Sequence, residues 1–140
     1  PDYVDFQRLP AVVSDAWKPQ AQAYYTTVAL KGLDNVHGAM FGAIHVDGQK
    51  MDTTQEVRAL FVRQGLDGAK FDKHFKSFGV DSMVRRAQKR SRSYGIRSVP
   101  TVIINGRYRT SAQHAGSFEQ AIAVIETLVE LERKRMGIEK

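Results

Sequence analysis

Gly95-Ile96-Arg97-Ser98-Val99-Pro100-Thr101 is the stretch that decides how this chain folds. Just beyond it, Thr101-Val102-Ile103-Ile104 is β-branched and apolar, the composition of a strand. Pro100 stands at the mouth of that strand, where no backbone donor is needed. Asn105-Gly106 follows as the strongest two-residue hairpin signal, and Arg107-Tyr108-Arg109-Thr110 alternates as a return strand. Ser117-Phe118-Glu119-Gln120 is a capping box opening a last helix that reaches the neighbourhood of Arg135, with Gly137 as its stop. Phe118, Ala121, Ile122, Ile125, Leu128 and Val129 are its expected buried stripe.

Upstream, Gly95 closes a region from Ser14 to Tyr94 whose pattern is helical throughout. Pro19 fits the first turn of a helix carrying Tyr24, Tyr25 and Val28. Asp34 is the expected cap of a second helix, with Val36, Met40 and Ile44 inward and Gly48 at its end. Thr53-Thr54-Gln55-Glu56 is a capping box for a third, bearing Val57, Leu60 and Phe61 and ending at Gly65. Asp67 caps a short fourth helix whose stripe Phe71, Phe75, Phe78 has the spacing of an inward face, so it reads as core and not as a cofactor box. Asp81 or Ser82 starts a fifth, basic helix that runs to Tyr94. Before this block, Tyr3-Val4-Asp5-Phe6-Gln7-Arg8-Leu9 alternates in type and predicts a strand that Pro10 ends or places at an edge, with Val4 and Phe6 on one face. Strand, helical block, hairpin, helix is the order of an α/β protein with helices inserted between two pieces of one sheet domain.

The 140 residues suit one domain with a real core. Hydrophobic residues make up 42% and charged residues 26%, and no apolar run approaches the roughly 20 residues of a membrane helix. With 21 Lys and Arg against 15 Asp and Glu the chain carries +6, concentrated at Arg85, Arg86, Lys89, Arg90 and Arg92. At helical spacing these cover one side of a helix whose other side holds Val84, Ala87 and Tyr94, the pattern of a solvated face, without the aromatic interleaving of a nucleic-acid binder. There is no cysteine, so thiol, disulfide and zinc-thiolate chemistry is excluded within these residues. The chain starts at Pro1 with neither the charged start nor the apolar run of a signal peptide, which points to a processed or truncated polypeptide.

A helix ending at glycine, a short turn, Val99-Pro100-Thr101, an apolar strand, an Asn-Gly hairpin and an amphipathic last helix together resemble the second half of the thioredoxin fold. With the helical block from Trp17 onward, the chain resembles the DsbA family of thiol:disulfide oxidoreductases over nearly its whole length. The resemblance implies an α/β, thioredoxin-like fold that is incomplete here. Residues 1–13 and 95–140 would form a partial thioredoxin-like domain and 14–94 an inserted all-helical subdomain. It implies a cis Val99-Pro100 bond, with Val99, Pro100 and Thr101 as substrate-binding residues that present backbone to an extended client chain. Relatives carry a Cys-x-x-Cys pair at the start of a helix upstream of the segment matching Val4–Leu9; its absence predicts that this chain alone is inactive. The implied setting is the periplasm, with unfolded or cysteine-containing clients, a membrane partner that reoxidises the parent protein, and no cofactor. Without its central strand the chain is expected to need a separate N-terminal piece, to swap into a dimer, or to be poorly stable.

The alternatives from other classes are a non-catalytic peptide-binding module and a nucleic-acid binder using the basic helix; within the redox class the alternative is a glutathione-dependent isomerase or transferase of the same fold, whose members generally place serine where the first cysteine would be. His37, His45, His74 and His114 show no metal-ligand spacing. Ser14, Asp15, Ser111 and His114 lack any nucleophile elbow and read as caps and turns. Arg8 is a candidate to reach the underside of the absent active-site helix.

Overall fold

The structure, a computed structural model, describes residues 1–138. The chain divides into two compact units: Pro10–Ser91, and Pro1–Leu9 together with the chain from Arg92 onward.

The first of these is helical. A 3-10 turn at Asp15–Trp17 leads into α1 (Lys18–Ala29), α2 (Leu33–His45), α3 (Thr54–Arg63), α4 (Gly68–Phe75) and α5 (Phe78–Ser93), whose last residues pass into the other unit. Its core is Ala23, Val36, Ala43, Met51, Val57, Leu60, Phe61, Phe71 and Phe75. Phe71 is the hub of an aromatic row, 4.7 Å from Phe61 edge-on and 5.0 Å from Phe75 stacked, arrangements that suit the ring quadrupoles.

The caps read from the sequence form at two of these helices. The Thr53 hydroxyl accepts from the Glu56 N–H at 3.3 Å while the Glu56 carboxylate accepts from the Thr53 N–H at 3.2 Å, closing the capping box of α3. The Asp67 carboxylate accepts from Ala69 and Lys70 N–H groups at 2.8 and 3.0 Å at the start of α4.

Two local expectations are corrected. α2 begins at Leu33 with Gly32 in the cap position, so Asp34 sits inside the first turn. The Leu66 side chain rests against the backbone there: a Cβ on Gly32 would lie 2.8 Å from Leu66 Cδ1. Phe78 does not continue the Phe71–Phe75 stripe. The chain breaks after Phe75, the Ser77 hydroxyl accepts from the Val80 N–H at 3.2 Å, and α5 therefore starts at Phe78, earlier than Asp81 or Ser82. Phe78 is left 80% exposed while Phe71 is fully buried.

The second unit contains β1 (Val102–Ile104), β2 (Tyr108–Thr110), the short α6 (Ala112–Ala115) and α7 (Phe118–Arg135). β1 and β2 are antiparallel with Val102 opposite Thr110 and Ile104 opposite Tyr108. Arg107 thus belongs to the turn and not to the return strand. Asn105 and Gly106 carry the positive φ values of 50° and 70° that the turn requires. Ser117 caps α7 through the Gln120 N–H.

The strand expected at Tyr3–Leu9 does not form; after a turn at its start the segment runs without ladder bonds, with Phe6 71% exposed. Alternation marks a chain able to be a strand, but a strand is made by a neighbour's N–H and C=O groups, and among the described residues none pairs with it. The same lack explains α7. Ala121 is buried, but Phe118 and Ile122, expected inside, are 63% and 57% exposed, because no described element covers that face.

Candidate functional site

The loop quoted at the outset is held at both ends. As α5 ends, Gly95 takes φ +61°, and Arg109 Nη1, reaching from β2, donates to the carbonyls of Tyr94 at 2.8 Å and Gly95 at 2.6 Å. A helix end leaves its last carbonyls without intrahelical donors, and a guanidinium is well suited to satisfy two at once. A Cβ at position 95 would stand 2.5 Å from that Nη1 and displace the guanidinium, and the positive φ itself favours glycine. At the far end Thr101 Oγ1 donates to the Ser98 carbonyl at 2.7 Å.

Between these anchors the Val99-Pro100 bond is cis. Val99 is 56% exposed, Pro100 is exposed and Thr101 is half-buried. The three lead directly into β1, which has β2 on one side and, among the described residues, no strand on the other. An exposed apolar residue pair at the entrance to an unpaired strand edge is a surface that an extended chain can join. What Val99 and Pro100 offer is main-chain groups and an apolar ring.

The clamp yields a direct test. Arg109→Ala should lower stability by about 1 kcal/mol, the net worth of an ordinary hydrogen bond at an exposed site. Gly95→Ala should match or exceed that loss, since it displaces the guanidinium and places a Cβ at positive φ. Urea titration of both variants checks the sizes, and a double variant whose losses simply add would show that the two do not act through one contact.

The remaining sequence candidates are scattered. His37 and His45 flank Phe41 on α2, at ring distances of 4.8 and 5.5 Å. His74 Nδ1 lies 2.9 Å from the Lys70 carbonyl, and His114 Nδ1 lies 2.7 Å from Ser111 Oγ within the cap of α6. Asp15 pairs with Lys18 at 2.8 Å, and Ser14 stands at the start of the 3-10 turn. Arg8 is exposed, its guanidinium 5.4 Å from the Phe6 ring.

Sequence reading missed a second polar centre, under the hairpin. Glu132 on α7 is buried, accepts from Asn105 Nδ2 at 2.7 Å and from Arg135 Nη2 at 2.8 Å, and lies 3.4 Å from Arg107 Nε. These bonds tie the turn to the helix. The Arg135 hydrogen bond first, then that of Asn105, hold the Glu132 carboxyl down to about 2 against an ordinary 4.5; the charges of Arg135 and Arg107 add to them and desolvation opposes.

A cis-proline loop that feeds an antiparallel hairpin and a long helix, preceded by an all-helical stretch, defines a thioredoxin-like α/β fold with inserted helices. Residues 8–123 match the DSBA-like thioredoxin domain, and the chain belongs to that family. It is 36% identical over 133 residues to the thiol:disulfide interchange protein DsbA of Azotobacter vinelandii, an alignment covering 95% of this chain and 62% of that protein. The crystal structure of Pseudomonas aeruginosa DsbA superposes with a TM-score of 0.91 at 31% identity, covering 98% of this chain and 71% of the other. A cysteine-to-serine variant of a Proteus DsbA, in complex with a non-covalently bound peptide of sequence PWATCDS, shares the fold at a TM-score of 0.71 and 24% identity, over 86% of this chain and 65% of that one. The chain thus spans under two thirds of the length of the curated relative named above. It is a member of a thiol:disulfide oxidoreductase family that itself contains no cysteine in these 140 residues.

Proposed function

We propose that these residues form the client-docking part of a periplasmic protein thiol:disulfide oxidoreductase, whose Cys-x-x-Cys pair lies on a segment N-terminal to Pro1. The observation that carries this reading is the exposed Val99-Pro100 pair at the open edge of β1, within a chain whose family relatives are thiol:disulfide interchange proteins. In it, residues 14–94 are the inserted helical subdomain, and 1–13 with 95–140 belong to the thioredoxin-like domain.

Each group then has a task. Val99 offers its main-chain N–H and C=O to an extended client as an added strand, the mode in which backbone bonds give affinity without demanding one side-chain sequence. The Pro100 ring supplies an apolar surface, with no metal-binding or nucleophilic atom, beside the reacting sulfurs. Thr101 fixes the loop through Ser98. The exchange passes two client thiols to one disulfide while the enzyme's disulfide becomes a dithiol, and a membrane partner returns it to the oxidised form. A helix N-terminus under the upstream cysteine would favour thiolate and so make the disulfide a strong oxidant. The 140-residue chain, having no sulfur nucleophile, transfers no disulfide alone.

The upstream segment also has a structural task in this reading. It covers the Phe118 and Ile122 face of α7 and pairs with the edge of β1; without it the chain associates with a second copy or melts early. Two measurements test the proposal. The coding sequence before Pro1 should specify Cys-x-x-Cys, and the protein extended through it should oxidise a two-cysteine peptide that the 140-residue chain leaves reduced. An upstream sequence without the pair points to a non-catalytic docking module, one with serine first points to a glutathione-dependent relative, and an extended protein with the pair but no activity defeats the reading outright.

A further inference from the structure

The charge of this chain sits in one place. Residues 70–92 hold eight Lys and Arg against two Asp, a surplus of six, and the rest of the chain balances at thirteen of each sign. The whole +6 therefore belongs to α4, the turn after it and α5. Of the two acids, Asp72 pairs with Arg58, outside the run, at 2.8 Å, and Asp81 pairs with Arg85, within it, at 3.0 Å.

On α5 the residues sort by face. Val80, Val84, Ala87 and Ser91 are buried. At about 100° per residue Phe78, Arg85, Arg86 and Lys89 share the opposite, exposed side, and Arg86 and Lys89 have no acidic partner among the described residues. Phe78 heads this face with 80% of its surface in water, and the Arg85 guanidinium lies 5.8 Å from its ring. A face kept basic only to stay wet has no use for an exposed phenylalanine at its end.

We infer that the exposed face of α5 docks on an anionic phospholipid surface, with Arg86 and Lys89 at the headgroup phosphates and the Phe78 ring in the boundary between headgroups and acyl chains. Cations and an apolar ring on one helix face match the two layers of a bilayer interface, charged outside and apolar beneath. A duplex would reward the cations and gain little from the ring. The net positive charge of residues 70–92 draws this part of the chain toward a negative surface.

Co-sedimentation of the protein extended through its upstream segment with phosphatidylcholine vesicles, with and without about one third phosphatidylglycerol, tests the inference. Binding is expected only with the anionic lipid, weakening as salt rises from about 0.05 to about 0.5 M. Arg86→Gln with Lys89→Gln should lower partition by about 25-fold, about fivefold for each cation. Phe78→Ala should lower it by about tenfold at every salt concentration. All three positions are exposed, so far-UV circular dichroism of the variants should match the parent. Equal binding to both vesicles, no binding to either, or a Phe78→Ala variant that binds as the parent does while duplex DNA strips the chain from the vesicles would each overturn the assignment.

Discussion

Phe71→Ala is expected to cost about 3–5 kcal/mol, which would remove most of the stability of the Pro10–Ser91 unit at the low end of the usual range of about 5–15 kcal/mol. The ring is fully buried and lies between Phe61 and Phe75 at 4.7 and 5.0 Å. Removing it loses the transfer energy of the side chain and leaves a void that rigid helices on all sides cannot close. The contrast is Phe78→Ala, three residues beyond Phe75, which should stay within about 0.5 kcal/mol of the parent because that ring is already in water. Thermal and urea melts followed by far-UV circular dichroism separate the two. Similar losses at both positions would mean that Phe78 packs inward after all.

The Phe78 case shows where sequence reading stops. Spacing of three and four placed Phe71, Phe75 and Phe78 on one face, and Gly79 looked like the helix end. The break falls earlier, at Lys76-Ser77, because the Ser77 hydroxyl can cap a new helix and does so. A serine is a cap only when the chain around it turns, and that depends on what α5 packs against. Most signals that need only their own neighbours were read correctly, Asp34 excepted: Thr53 with Glu56, Asp67, the Asn105-Gly106 turn, and Ser117 all act within a few residues. The proline at 100 was informative because it stood among several such signals in a fixed order.

What escaped the sequence was nonlocal. The Tyr3–Leu9 stretch alternates as a strand should, yet hydrogen bonds to a second strand are what make one, and the described residues provide none. Phe118 and Ile122 have the period of an inward face, but period says only that a face is apolar and not that anything lies on it. Arg109 read as one member of an alternating strand. Its bonds to Tyr94 and Gly95 span 15 and 14 residues. Glu132 carries no signal of its own in the sequence, and its partner Asn105 is 27 residues away.

That buried carboxylate contributes to the acid behaviour of the hairpin unit. The Glu132 carboxyl titrates at about 2 in the folded chain against an ordinary 4.5, because Arg135 and then Asn105 donate to its charged form and Arg107 stands close by. A folded value below the unfolded one means that the native state binds the proton more weakly, so ionisation at this site favours folding. The contribution is present in full above pH 4.5, declines as the pH falls below that value, and is gone once it has passed through about 2. Glu132→Gln keeps the shape and an acceptor for Asn105 but removes the charge that Arg135 and Arg107 face. The variant should therefore be less stable than the parent at neutral pH, and the two stability curves should converge as pH falls from 4.5 to about 2. Urea titrations at several pH values across that window measure the gap directly. A gap that stays constant with pH would show that the loss comes from packing alone and that the arginines do not hold the carboxylate charged; a gap that closes identifies the Asn105–Glu132–Arg135 network as the link that fastens the turn to α7.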